Sequence, residues 1–169
     1  MTLQEDQLND DYIETDEDSQ KDKYLTFRVD DEDFAVDIRY VIEIIGIQKI
    51  TGLPDMPDFI KGVINLRGKV IPVMDIRLRF HMKEIEYGDR TCIIVAKVGE
   101  TYFGLIVDTV SEVLDIPASE IDPPPRSGMT GSRRYLQGIG KVGDQVKIIL
   151  DINRILSEEE LSDIKQIES

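Results

Sequence analysis

The residues that could support chemistry are few in this chain, and they are far apart in the sequence. His81 is the only histidine and Cys92 the only cysteine among 169 residues, so neither a histidine pair nor a multi-cysteine zinc site can form within the chain. His81 has no evident nucleophile beside it. Cys92 lies in the strand-like run TCIIVAKV, where a buried, inert thiol is expected. Neither residue predicts a catalytic site.

The segment GIGKVG, residues 138–143, has the glycine spacing of a dinucleotide-binding loop. Such a loop holds a pyrophosphate at the N-terminus of a helix, whereas a strand-like run follows here. Asp37 and Asp108 follow apolar runs, but nothing in the sequence pairs them with a partner. No phosphate loop, serine elbow or zinc motif occurs. We therefore predict that the chain is not an enzyme and takes no cofactor or metal.

Arg67 is the residue that most needs an explanation. It interrupts FIKGVINLRGKVIPVMDIRLRF, residues 59–80, which otherwise reads as buried strand. Gly68 follows it, and a glycine at either central position suits the tight turn of a β-hairpin. The sequence therefore predicts two strands with Arg67 displayed at the tip between them, available to a partner.

The acidic charge is concentrated at the start of the chain. The net charge is −14, and residues 1–22 hold nine acidic residues and one lysine, which leaves 25 acidic and 19 basic residues elsewhere. We predict an acidic disordered tail over 1–22. The negative balance makes nucleic acid and anionic membranes poor partners. The chain shows no signal peptide or membrane-spanning run, so we expect it to be cytoplasmic.

An internal repeat organises the rest of the chain. Residues 24–45 match residues 93–114 at an offset of 69, and residues 59–80 match residues 135–156 at an offset of 76. We interpret the copies as two similar lobes of roughly sixty residues each. Their short β-branched runs and regular turns predict a mainly β fold of two small barrels with few helices. A capping box at Ser157 and Glu160 predicts a C-terminal helix within 157–169.

The repeat also separates structural from functional residues. Positions that carry the same residue type in both copies are expected to serve the fold, and these are Phe34 and Phe103, Gly62 and Gly138, and Asp75 and Asp151, the aspartates as helix caps. Arg67 faces Gly143 instead, so the fold does not require an arginine there. Residues 36–47 hold more large aliphatics than one barrel wall can bury. They predict either a protein-binding groove or an interface between lobes.

The chain resembles the CheW-like family of chemotaxis adaptors from about Tyr24 to about Leu156. The resemblance lies in YVIEIIG, in NLRG followed by VIPVMDIR, and in GLIVDTVSEVL and YLQGIGKVGDQVKIILDINRIL. It implies a CheW-like domain over 23–156 made of two SH3-like five-stranded β-barrels packed on a shared apolar interface. It also implies a free-standing adaptor that links methyl-accepting chemoreceptors to the histidine kinase CheA, recruited to membrane-associated receptor arrays without direct membrane contact.

The resemblance also implies which residues bind these partners. The receptor tip would lie in a hydrophobic groove between the lobes, with candidate residues Val36, Ile38, Val41, Leu105 and Val110. The regulatory domain of the kinase would contact Glu43, Ile44 and Arg67. Ile45 stands where many members carry arginine, and Glu43 has Glu112 as its repeat partner, which favours a structural role for Glu43. Two alternatives remain: an adaptor of another chemosensory pathway, such as surface motility, and a small-barrel nucleic-acid binder.

Overall fold

The strands of the computed structural model follow the internal repeat. The structure describes residues 20–124 and 134–155. The first copy contains β1 (Lys23–Val29), β2 (Glu32–Asp37), β3 (Val41–Gly46), β4 (Ile60–Leu66), β5 (Lys69–Asp75) and helix α1 (Ile76–Arg79). The second contains β6 (Cys92–Val98), β7 (Thr101–Val107), β8 (Thr109–Asp115), β9 (Ile121–Asp122), β10 (Leu136–Val142), β11 (Gln145–Leu150) and helix α2 (Ile152–Ile155). Single 3₁₀ turns at Ile38–Tyr40 and Ala118–Glu120 precede β3 and β9.

The strands form two sheets, which confirms the mainly β, two-lobed architecture. The six-stranded sheet has the order β8-β1-β2-β11-β10-β9, and the five-stranded sheet has the order β3-β6-β7-β5-β4. The sixth strand is the two-residue β9. Its counterpart in the five-stranded sheet is a single bridge between Thr51 and Val63.

The expectation that each repeat copy folds into its own lobe is wrong. The third strand of each copy crosses over and pairs antiparallel with the first strand of the other copy, β3 with β6 and β8 with β1. Each sheet therefore takes strands from both copies. The sequence does not distinguish the two arrangements, because the same apolar strands would be buried in either one.

The largest apolar core lies between the sheets and draws on both. Leu25, Phe27 and Val36 enter it from the six-stranded sheet, and Ile94 and Leu105 from the five-stranded sheet. Each sheet also covers a smaller cluster on its other side, around Ile64, Ile93 and Ile106 in the five-stranded sheet and around Tyr24, Ala35, Ile116 and Ile149 in the six-stranded sheet. The two small cores and one shared core agree with two lobes packed on an apolar interface.

The residues shared by both repeat copies have the structural roles predicted for them. The carboxylates of Asp75 and Asp151 accept backbone N–H groups at the starts of α1 and α2, so both are helix caps. A Cβ on Gly62 would lie 2.1 Å from the carbonyl oxygen of Thr51, and one on Gly138 would lie 2.9 Å from that of Asp122. Both glycines therefore let two backbones approach closely.

Several other expectations are settled or left open by the described residues. Cys92 is half-buried at the start of β6 rather than fully buried, and its thiol lies 3.2 Å from the carbonyl oxygen of Arg90. GIGKVG forms β10 and its turn, so the context of a dinucleotide site is missing. The predicted C-terminal helix over 157–169 and almost all of the acidic tail over 1–22 lie outside the described residues.

Candidate functional site

Arg67 lies at the tip of the hairpin formed by β4 and β5. Its φ is 51° and that of Gly68 is 85°, and positive φ at both turn residues is the mark of the turn that matches the twist of a hairpin. The Asn65 side-chain oxygen accepts the Gly68 N–H at 2.8 Å and fixes the turn. Gly143, the repeat partner of Arg67, has φ of 60°. An arginine therefore occupies a left-handed position where a glycine would be less strained.

The Arg67 guanidinium pairs with the carboxylate of Glu43 on β3. It donates from Nη1 to Oε2 at 3.3 Å and from Nη2 to Oε1 in a closer contact, a bidentate geometry. The hydrogen bonding of Arg67 to the Glu43 carboxylate, followed by the charge of Glu43, raises the pKa of Arg67. The Arg67 side chain is 71% exposed and that of Glu43 26%, so the pair lies at the surface. Because β3 and β4 are the outer strands of their sheet and Arg67 directly follows β4, this pair links the two edges of the sheet.

Strand β3 presents apolar side chains beside this ion pair. Its alternate residues Ile42 and Ile44 are 50% and 42% exposed, whereas Val41, Glu43 and Ile45 are half-buried. An irregularity in the pairing with β6 falls between Val41 and Glu43. The ion pair lies in an open depression lined by Ile42, Glu43, Leu66, Arg67, Lys69, Ile71, Val95 and Tyr102. This surface, named here the Arg67 surface and including Ile44, combines apolar area with a charged rim.

The three residues predicted to bind the kinase are therefore neighbours. Glu43 and Arg67 are in direct contact, and Ile44 lies one residue farther on the exposed side of β3. The sequence predicted an exposed Arg67 at the hairpin tip, but it did not indicate the pairing with Glu43. The repeat could not indicate the pair, because the counterparts of the two residues are Gly143 and Glu112.

The five residues predicted to bind the receptor are divided by burial. Val36 and Leu105 are 0% exposed, within the core between the sheets. Ile38, Val41 and Val110 are half-buried and pack against the margin of that core. All five belong to one apolar cluster, but only these three reach the surface.

A charged network at the junction of the sheets was not predicted. The carboxylate of Asp108 accepts hydrogen bonds from the Arg77 side chain, at 2.9 Å from Nε, and from the Asp30 N–H at 2.8 Å. Burial alone would raise the pKa of Asp108, but these hydrogen bonds and the Arg77 charge outweigh it and lower that pKa. Asp108 precedes β8, where the chain crosses between sheets. Because Arg77 and Asp108 are 31 residues apart, no local sequence pattern indicated that they would pair.

The described residues show little that could support catalysis. Within 20–124 and 134–155, no group of three or more potential ligands could hold a metal ion. His81 lies in a left-handed conformation just after α1, with φ of 61°. In the same part of the chain, no helix has the length and apolar character needed to cross a membrane. The Arg67 surface presents aliphatic side chains and paired charges instead.

Comparisons with known proteins agree with this architecture. A family model described as CheW-like domain matches residues 23–160. The chain is 39% identical over 140 residues to chemotaxis protein CheW of Klebsiella aerogenes, covering 83% of this chain and 84% of that protein. It is 35% identical over 136 residues to protein FrzA of Myxococcus xanthus, covering 79% and 84%. The crystal structure of a scaffolding protein, TtCheW from Thermoanaerobacter tengcongensis, superposes with a TM-score of 0.75 at 34% identity, covering 80% of this chain and 92% of that one.

Proposed function

Because this chain belongs to the CheW-like domain family, we propose that it is a non-catalytic adaptor that couples methyl-accepting chemoreceptors to the histidine kinase CheA. The observation that supports this most is the Arg67 surface. An arginine replaces the glycine that the hairpin would prefer, and it lies exposed beside aliphatic side chains. A strained, exposed residue that the fold does not need is typical of a binding site.

In this proposal the Arg67 surface contacts the regulatory domain of the kinase. Ile42 and Ile44 supply apolar contact, and Glu43 holds the guanidinium in a fixed orientation. Such an arrangement gives affinity through the aliphatic residues and register through the charges. Ile42 was not among the predicted residues and is added because it is the more exposed of the two isoleucines.

The receptor tip is proposed to bind at the margin of the core between the sheets. Ile38, Val41 and Val110 would contact it directly, because they are the three candidates with exposed area. Val36 and Leu105 would form the floor beneath them and touch the receptor only if the sheets moved apart. Receptor and kinase would then bind different parts of one rigid scaffold, recruited to receptor arrays. Coupling follows if the two receptor states contact the margin differently.

Reconstitution of kinase autophosphorylation with a receptor fragment tests the proposal. We expect the wild-type protein to bring the kinase under receptor control, and Arg67→Asp to weaken that control while the thermal unfolding temperature stays within a few degrees of wild type. Lys141→Asp, on the other hairpin, is the control and should retain coupling. Receptor control of equal strength without the protein would refute the adaptor function. Wild-type behaviour of Arg67→Asp would refute only the role of Arg67.

A second candidate keeps the adaptor function but assigns it to another chemosensory pathway. The relative named FrzA shows that members of the family are not all named chemotaxis protein CheW. Deletion of the gene in its own organism separates the two, since loss of swimming chemotaxis supports the first pathway and loss of surface motility the second.

A further inference from the structure

Two lysines share one tyrosine ring beside the Arg67 surface. The Nζ atom of Lys69 lies 3.3 Å from the ring centroid of Tyr102, and that of Lys97 lies 5.1 Å from it. Lys97 and Tyr102 face each other across β6 and β7, and Lys69 begins β5 two residues after Arg67. Lys69 and Tyr102 both line the depression that holds the Glu43–Arg67 pair. The lysine cluster is therefore continuous with the proposed kinase surface.

The cluster contains positive charge that no carboxylate within residues 20–124 and 134–155 balances in direct contact. Among the described residues, neither lysine has a carboxylate oxygen within 4.0 Å. The face of an aromatic ring attracts a cation, but more weakly than a carboxylate in direct contact does. Two neighbouring cations on one ring also repel each other. The site therefore has the charge and the position to accept an anionic side chain.

The equivalent place in the six-stranded sheet contains an acidic side chain that the lysine cluster lacks. At the offset of 69, Lys97 and Tyr102 correspond to Arg28 and Asp33, which also face each other across a hairpin. Asp33 pairs there with Arg28 at 3.2 Å and with Lys147 at 3.2 Å. The six-stranded sheet thus neutralises these two cations with Asp33. The five-stranded sheet has Tyr102 at the position of Asp33, beside Lys69 and Lys97.

We propose that Lys69 and Lys97 bind a carboxylate of the kinase, an aspartate or glutamate side chain docked over Tyr102 where the other sheet has Asp33. The inference rests on the proposed function and adds the chemistry of the partner: an acidic residue next to the apolar patch that meets Ile42 and Ile44. Two observations support this inference: the lysine cluster is continuous with the Arg67 surface, and the equivalent cations of the other sheet are paired with Asp33. On a chain of net charge −14, such a local positive site orients an approaching partner.

Titration calorimetry of the full-length protein with the kinase, at low and at high salt, tests the inference. We expect Lys69→Gln/Lys97→Gln to weaken binding about fivefold at low salt and much less at high salt, because ions screen exposed charges. The control Lys21→Gln/Lys83→Gln makes the same change in net charge at two exposed lysines outside the cluster. It should bind as wild type does. Circular dichroism should show both variants folded.

The outcomes separate this inference from the proposed function. If the wild-type protein does not bind the kinase at all, the proposed function fails. If the wild type binds and the cluster variant matches the control at both salt concentrations, only the inference is overturned. Tighter binding by the cluster variant would also overturn it, because the lysines would then be occupied by an acidic segment of this chain that competes with the kinase.

Discussion

The two hairpins that end the repeat copies have the same backbone and different chemistry. The tip between β4 and β5 carries Arg67 at φ of 51°, and the tip between β10 and β11 carries Gly143 at φ of 60°. Around the first tip lie Glu43, exposed isoleucines and the lysine cluster. In the second copy, the repeat counterpart of Glu43 is Glu112, which is exposed. The fold needs only a residue that tolerates positive φ, so the backbone of this turn does not account for an arginine at the first tip.

The two crossings between sheets differ in the same way. Where β7 leads to β8, the Arg77–Asp108 network ties α1 to the junction and reaches Asp30 in the other sheet. Where β2 leads to β3, Arg39 pairs locally with Asp37, and a side-chain hydrogen bond of 3.0 Å from Asn153 to Tyr40 links this crossing to α2. The crossing from β7 to β8 is therefore stabilised by buried charges, and the crossing from β2 to β3 by exposed contacts. Four predictions test such differences between equivalent parts of the two repeat copies.

The largest effect is expected at the repeated glycines. Gly62→Ala should lower the free energy of unfolding by about 4 kcal/mol, because the new Cβ overlaps the Thr51 carbonyl and φ is 146°. Gly138→Ala should cost about 2 kcal/mol, since its Cβ would lie 2.7 Å from an Ile121 methyl group that can shift and 2.9 Å from the Asp122 carbonyl oxygen, a milder overlap than at Gly62. Urea denaturation of both variants measures the difference. A larger loss of unfolding free energy for Gly138→Ala than for Gly62→Ala would contradict this expectation.

These glycines also show what the sequence could and could not predict. Their recurrence marked them as structural, as it did Asp75 and Asp151, because a requirement of the fold is repeated wherever the fold is repeated. The exchange of β3 and β8 between sheets was not predictable. The local sequence pattern indicates which face of a strand is buried, but it does not indicate which strand will pair with it. The Arg77–Asp108 network and the Lys69–Tyr102 contact were missed for a related reason. Each joins residues that only the tertiary fold brings together.

The next largest effect is expected at the crossings. Arg77→Leu should lower the free energy of unfolding by about 3 kcal/mol, because it leaves the part-buried Asp108 carboxylate without its cation. Asn153→Leu, its repeat counterpart, should cost less than about 1 kcal/mol, since it removes one exposed hydrogen bond. If urea denaturation showed equal losses of unfolding free energy for the two variants, the two crossings would be equally stabilised and the comparison would be wrong.

The pH dependence of stability provides an independent check on the same network. The folded pKa of Asp108 lies below its unfolded value of about 4, so its stabilisation is present above that pH and is lost as the pH falls through the folded pKa. The difference in unfolding free energy between wild type and Asp108→Asn should therefore shrink below pH 4, roughly. The control is Asp144→Asn, which makes the same change in charge in the turn between β10 and β11. A difference that stays constant down to the acid transition would contradict the network.

The smallest effect on stability is expected at the hairpin tips, where it should run opposite to the effect on function. Arg67→Gly removes a side chain from a left-handed position, which favours the folded state, and it also removes one exposed ion pair. We expect the melting temperature to rise by about 2 °C and receptor control of the kinase to be lost. Gly143→Arg should lower the melting temperature by about 3 °C and leave control intact, because no binding surface is assigned to that tip. A natural residue that lowers stability and is needed for coupling is one that the binding site retains at the expense of the fold. If Arg67→Gly instead destabilised the protein and kept coupling, the arginine would belong to the fold and the comparison of the two hairpins would be reversed.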